Sequence, residues 1–336
     1  MRGLAILLVV FYHNFGFIDY FFFGWLGVDL FFVLSGFLIT QILINTQNHP
    51  RYLRNFFTRR TLRIFPLYYF ILAMGVILAI PPAREYFIWY STYTANIKMG
   101  LAQFDSANFT HLWSLAVEEQ FYILFPFLVL FVPHNLRMFK ILVVTGVVSR
   151  LLLFLLIDKP WFTAYTFTLC CFDSFGIGAI LAYYKLHKPV KLDELLSRPA
   201  VFFFAFVAAI TVFVIGGVFD IVLTRLLFSV FCFWVIGKAS VGAGGILSHP
   251  VAVYLGRISY GIYVYHYFMS YIFGFVDLPY EKIYFPFVTV GLAALSFHFF
   301  ENPINNLKKY FHYKTESGIG IRLAKLFSFI PVFKDR

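Results

Sequence analysis

The run Arg2-Gly3-Leu4-Ala5-Ile6-Leu7-Leu8-Val9-Val10-Phe11-Tyr12-His13 opens the chain with an almost wholly apolar segment held between a guanidinium and an imidazole. Eleven steps of about 100° return to nearly the same helix face. Arg2 and His13 are therefore expected in one stripe, roughly 16 Å apart along the axis at about 1.5 Å per residue. An ionisable side chain in hydrocarbon is costly and usually faces a polar cavity, which makes His13, able to exchange a proton near neutral pH, a candidate general base. The plainer alternatives are an Arg2 that snorkels at the membrane edge and a His13 that only hydrogen-bonds a neighbouring helix.

The rest of the chain repeats this character. Hydrophobic residues make up 61% and charged residues 13% of it, and the mean hydropathy is +0.80. Soluble domains carry roughly 25% charged residues, so the chain reads as an integral membrane protein. Apolar runs near twenty residues long argue for helices rather than a barrel, whose strands would alternate in polarity. The expected fold is an all-α polytopic bundle of about ten spans, at roughly 3–18, 26–46, 64–80, 113–132, 138–157, 162–184, 200–216, 219–237, 251–275 and 283–303. The first run lacks a small-residue cleavage site and reads as a retained span.

Of the 27 basic residues, 20 fall on one side if the N-terminus is cytoplasmic, and only Arg84, Lys98, Lys159 and Lys282 fall opposite. Both termini are therefore expected in the cytoplasm. The formal charge of +11 is mostly this bias, and with no nucleic-acid motif beside it a nucleic-acid partner is excluded. Cys170, Cys171 and Cys232 form no metal spacing, so no metal is expected, and they read as packing residues. The membrane part, 1–310, reads as one domain followed by a basic cytoplasmic tail at 311–336. Within that tail, 319–334 fits an amphipathic helix on the inner leaflet or a disordered stretch.

Three further segments carry groups able to do chemistry. In Gly27-Val28-Asp29 through Ser35-Gly36-Phe37, Asp29 sits at a depth like that of His13, where a carboxylate could fix an imidazole tautomer. It could equally cap its helix or pair with an arginine. Ser35 and Gly36 read as close-packing positions. In the stretch from Arg59 to Tyr69, Arg60 and Arg63 lie three apart, on one helix face. Guanidinia so placed suit a polyphosphate entering from the cytoplasm, although membrane anchoring also recruits arginines. In His111-Leu112-Trp113-Ser114 through Glu118-Glu119-Gln120-Phe121-Tyr122, two adjacent acids begin a span, and Ser114 shares a face with Glu118. Trp113 and Tyr122 suit the interface or a stacked substrate, while an N-cap with acids in the first turn explains one glutamate but not the cluster.

Taken in order, these segments resemble the acyltransferase 3 family, the polytopic membrane acyltransferases that modify bacterial cell-surface glycans. The resemblance covers roughly residues 1–310. It rests on Arg2-Gly3-Leu4-Ala5 with His13, on Gly27-Val28-Asp29 through Phe37, on Arg60 to Arg63 with Pro66 and Tyr68, and on Trp113-Ser114-Leu115 with Glu118, Phe121 and Tyr122. The stretch Ser259-Tyr260 to His266 and Glu301 to Pro303 agree in order.

The resemblance implies a multi-pass protein of the bacterial inner membrane among membrane lipids. It would transfer an acyl group, first of all acetyl, from cytoplasmic acyl-CoA to a hydroxyl of a cell-surface glycan or lipid-linked sugar. His13 would be the essential histidine, with Glu118, Glu119 and Asp29 as further candidate catalytic residues orienting it. Arg2, Arg60 and Arg63 would bind acyl-CoA, and Trp113, Ser114, Tyr122 and His266 the substrate. Two features depart from the family pattern. The chain begins at the Arg-Gly of the first motif, and no esterase-like stretch follows the membrane part, so a second transfer step is expected to need a separate protein. The competing class is a proton-coupled transporter or flippase of an anionic or glycan cargo, in which His13 and Glu118 relay protons.

Overall fold

The computed structural model describes residues 1–15, 24–102, 109–132, 136–158, 160–242, 245–273 and 281–313. Among them every regular element is helical. Ten helices occupy the ten expected stretches: α1 (Arg2–Phe15), α2 (Gly27–Thr46), α3 (Tyr52–Ile77), α4 (Leu112–Phe131), α5 (Leu136–Leu156), α6 (Phe172–His187), α7 (Pro199–Ile215), α8 (Gly217–Ser240), α9 (Pro250–Phe273) and α10 (Glu281–Ser296). Seven stretches are long and apolar enough to cross a membrane, or eight if Pro189–Leu196 and α7, bent by 63°, form one broken span. The helix α1 has only 14 residues, and α9 falls outside the seven because Arg257, His266 and many tyrosines dilute its 24 residues. The expected tail helix at 319–334 lies outside the described residues.

Two differences from the expected spans matter for the site. The third helix starts at Tyr52 rather than near residue 64 and runs for 26 residues, so Arg59, Arg60 and Arg63 ride on the helix itself. The sixth stretch is broken into Trp161–Thr166, a 3-10 turn at Thr168–Cys171 and α6.

A helix broken at membrane depth must satisfy its freed carbonyls internally. Two buried arginines do so. Arg150 of α5 pairs with both oxygens of Asp173, at 2.9 and 2.6 Å, and donates to the carbonyls of Cys170 and Val222. Arg225 of α8 donates to the carbonyls of Cys170 and Tyr165 at 3.2 and 3.1 Å. Its Nε stands 2.7 Å from Asp29 Oδ1, an ionic contact rather than an aligned hydrogen bond. All four charged side chains are buried, which is affordable only because each cation has its own carboxylate.

Small residues set the helix spacing. A methyl at Gly36 would stand 2.2 Å from the Phe175 carbonyl oxygen, and one at Gly178 2.0 Å from that of Val33. The crossing of α2 and α6 is thus a reciprocal glycine contact, the device that lets membrane helices approach closely. On the other flank Gly3 lies against α9, where a methyl would come within 2.8 Å of Ala252 O. A core of Ile6, Val9, Phe32, Leu67, Phe121 and Ile262 fills the space among α1, α2, α3, α4 and α9. That clamp fixes the polar groups of α1 against those of α3, α4 and α9.

Candidate functional site

The polar residues of the five clamped helices form a track with arginines at one end and histidines at the other. Arg2, Arg60 and Arg63 line one cavity together with Ser35, Glu118 and Tyr122. Arg60 and Arg63 also border a second cavity with Gln41, Asn45, Arg59 and Lys308. Arg2 and Arg63 border a third with Arg257, Glu301 and Asn305. Arg59 is already engaged, donating to the carbonyls of Lys308 and Phe311 at 3.1 Å each. Arg60 lies over the rings of Phe56 and Tyr122, 5.6 and 5.5 Å from their centroids. Among the described residues no carboxylate stands at ion-pairing distance from Arg2, Arg60 or Arg63. Like charges gathered in a partly dry cavity repel unless an anion joins them, and guanidinia suit phosphate because they bind it bidentately.

Next along the track, Glu118 accepts hydrogen bonds from Ser35 Oγ and Tyr122 OH, which themselves stand 3.2 Å apart. One helical turn earlier on α4, Ser114 Oγ meets Tyr263 OH of α9 at 2.5 Å, and that hydroxyl donates to the His111 carbonyl at 2.8 Å. His111 precedes Glu118 by seven residues, about 10 Å of helix.

At the far end three imidazoles gather. His266 Nδ1 lies 2.5 Å from the Tyr263 carbonyl. A carbonyl only accepts, so Nδ1 carries the proton and, in the neutral ring, Nε2 is left as an acceptor. His13 Nδ1 stands 3.2 Å from that Nε2 and must be the donor. The tautomer that follows leaves the basic lone pair of His13 on Nε2, and the ring that steadies it is another imidazole. His111 Nε2 lies 3.3 Å from the Val264 carbonyl, and its ring stacks on Tyr267 at 4.9 Å. His13 is exposed, whereas His111 and His266 are buried. Among the described residues no group of three His, Cys, Asp or Glu side chains has the geometry of a metal site.

The sequence candidates therefore separate. Arg2, Arg60, Arg63, Glu118, Tyr122 and Ser114 share one cavity, and His13 and His266 meet at the end of the track. Asp29 lies against Arg225 rather than against His13. Glu119 does not line the cavity of Glu118; it is buried, and its Oε1 has no hydrogen-bond partner. Trp113 is buried between Phe32 and Tyr165, at 6.0 and 4.7 Å. The His266 ring stands beside His13, where a carboxylate was expected.

The sequence profile of an acyltransferase domain, Acyl_transf_3, matches residues 1–300. The chain belongs to the acyltransferase 3 family. Among curated relatives, O-acetyltransferase OatA of Staphylococcus aureus (strain MRSA252) is 27% identical over 380 residues, covering 100% of this chain and 59% of the relative. The putative peptidoglycan O-acetyltransferase YrhL of Bacillus subtilis (strain 168) is 30% identical over 353 residues, 90% of this chain and 54% of the relative. The chain thus spans a little over half the length of the curated relatives it matches. No solved structure matches it.

Within this acyltransferase 3 chain, sequence reasoning passed over three residues of the track. His111 stands just before a span, and that position puts it at the same end as His13. Ser35 reads as packing because Gly36 follows it, yet its hydroxyl reaches Glu118. Tyr263 sits three positions before His266 on α9, hence on the same face.

Proposed function

We propose that the chain is a membrane O-acetyltransferase that moves an acetyl group from cytoplasmic acyl-CoA to a hydroxyl of a cell-surface glycan, in a bacterial inner membrane. The observation that supports this reading is the track among the described residues: three guanidinia without carboxylate partners at one end, an imidazole pair at the other, and hydroxyls and Glu118 as the polar groups between them. The acyl-CoA phosphates dock on Arg2, Arg60 and Arg63. The slim pantetheine arm follows Ser35, Tyr122, Ser114 and Tyr263 over the roughly 16 Å that separate Arg2 from His13 on α1. The positive-inside pattern puts the arginine end in the cytoplasm, where acyl-CoA is made.

At the histidine end His13 Nε2 takes the proton of the acceptor hydroxyl as its oxygen attacks the thioester carbon. The imidazolium so formed is held by its Nδ1–H to His266, which plays the part that a carboxylate plays in a hydrolase triad. The C–S bond then breaks and the proton passes to the departing thiolate. A variant in which His13 itself first accepts the acetyl group predicts ping-pong kinetics, whereas direct transfer requires a ternary complex. The peptidoglycan named for the Bacillus relative makes an N-acetylated glycan the first acceptor to try.

The test is acetyl-CoA turnover by purified protein in nanodiscs, wild type beside His13→Ala and Arg60→Ala. The reading expects His13→Ala to be inactive at saturating substrate and Arg60→Ala to lose mainly donor affinity. A folded wild-type protein that neither binds nor consumes any acyl-CoA would overturn it and bring the transporter reading forward.

A further inference from the structure

A further cleft opens near the histidine end, between Trp161–Thr166, the start of α8 and Trp25. Trp161, 46% exposed, lies parallel to Tyr165, with centroids 5.3 Å apart and planes 11° apart. Trp25 meets Tyr165 edge-on at 5.6 Å. Tyr165 in turn contacts Trp113 at 4.7 Å, the residue before Ser114. An aromatic ladder thus descends from the surface to the Ser114–Tyr263 hydroxyl pair, and Tyr165 lies within electrostatic range of Tyr263 and Tyr12.

The polar groups of the cleft have a definite sign. Arg150 and Arg225 form its floor, but Asp173 and Asp29 neutralise them. On the wall, Asp220 accepts from Thr224 at 2.9 Å and has the Trp161 indole within reach. No described cation pairs with it. A carboxylate has about four acceptor sites, so it keeps lone pairs for an incoming donor. A tryptophan serving only as an interfacial anchor needs no carboxylate beside it. Flat aromatic faces with one acceptor and no free cation match a pyranose, whose C–H face covers a ring while its hydroxyls donate.

We infer that this cleft is the acceptor subsite, where Trp161 stacks on a sugar ring of a neutral or N-acylated saccharide and Asp220 accepts its hydroxyls. The inference rests on the acyl-transfer reading for its purpose but not for its test.

The probe is a short β-1,4-linked N-acetylglucosamine oligosaccharide added to the full chain in nanodiscs. Binding is read by saturation-transfer NMR and acetylation by acceptor KM and kcat, with acetyl-CoA consumption followed separately. Trp161→Ala should abolish saturation transfer to the sugar and raise acceptor KM about tenfold, while kcat falls less than twofold. Trp161→Phe, which keeps a ring face, should stay within about threefold of wild type. Asp220→Asn should raise acceptor KM several-fold. Trp89→Ala, removing a part-exposed tryptophan that does not line the cleft, should change neither readout.

Equal sugar binding and equal KM in wild type and Trp161→Ala would overturn the inference. So would a wild type that consumes acetyl-CoA yet shows no saturation transfer to the sugar. Trp161-dependent sugar binding by a protein that consumes no acyl-CoA would keep the subsite and overturn the proposed activity instead.

Discussion

Replacing Asp29 by Asn distinguishes a carboxylate that holds the bundle together from one that takes part in chemistry. At 2.7 Å from Arg225 Nε, an ion pair gains about 6 kcal/mol at an effective dielectric constant of about 20. The amide of Asn keeps the shape and part of the polarity but not the charge. Arg225 would then be a buried cation with Asp173, already shared with Arg150, as its nearest negative group. Breaking one side of such a pair typically costs about 3–5 kcal/mol, which for a chain of this size lowers the melting midpoint by roughly 6–10 °C at about 2 °C per kcal/mol.

The assay is thermal unfolding of detergent-solubilised protein followed by intrinsic fluorescence, with acetyl-CoA turnover measured per folded molecule. Asp29→Asn should melt early yet turn over within about threefold of wild type at low temperature. Adding Arg225→Gln removes the orphaned charge. The double variant should therefore recover at least half of the lost stability. If Asp29→Asn melts like wild type but no longer turns over, Asp29 belongs to the chemistry and its assignment to the Arg225 pair is wrong.

Other substitutions probe the track. His266→Gln should lower kcat by about 10²–10³, less than His13→Ala, with donor KM unchanged, because the general base survives but its cation loses support. Arg63→Ala should raise donor KM by about 10- to 150-fold, the worth of one charge-assisted phosphate contact of about 1.5–3 kcal/mol, and should weaken the salt dependence of binding. Gly178→Ala places a methyl 2.0 Å from the Val33 carbonyl and should prevent accumulation of folded protein. Gly291→Ala, with nothing within 4 Å of the added carbon, should be neutral or stabilise by about 0.5–1 kcal/mol. Expression yield and melting midpoint of the two glycine variants decide that comparison.

What the sequence revealed and what it concealed follow from the range of the interactions. Helix periodicity is local, so the common stripe of Arg2 and His13 and the shared face of Arg60 and Arg63 could be read directly. The class of fold follows from composition together with the length of the apolar runs. Which acid faces which base depends instead on how distant helices rotate against each other. Asp29 and Arg225 are 196 positions apart, and no periodic pattern marks them as partners. The same holds for His13 and His266, 253 positions apart. The break at Thr168–Cys171 was hidden for a related reason. Its residues are apolar enough to continue a span, and the guanidinia of Arg150 and Arg225 with the Asn96 amide, all supplied by other helices, make the interruption tolerable. Tyr52 to Arg63 falls outside the expected third span because its arginines lower the local hydropathy, although they line a cavity from the same helix.

The hydroxyl pair between Ser114 and Tyr263 has a consequence for the electrical life of a cell. A file of titratable groups running through a lipid bilayer is a wire for protons, and an enzyme built around one could drain the gradient that powers its host. Between Glu118 and the imidazoles, however, the polar side chains that meet across α4 and α9 among the described residues are a serine and a tyrosine, which carry no charge at ordinary pH. Rings of Phe31, Phe32 and Trp113 crowd around them. The join thus sets no fixed charge in the path: a thin neutral chain can lie alongside two hydroxyls, and no group of the pair itself would store a proton in transit.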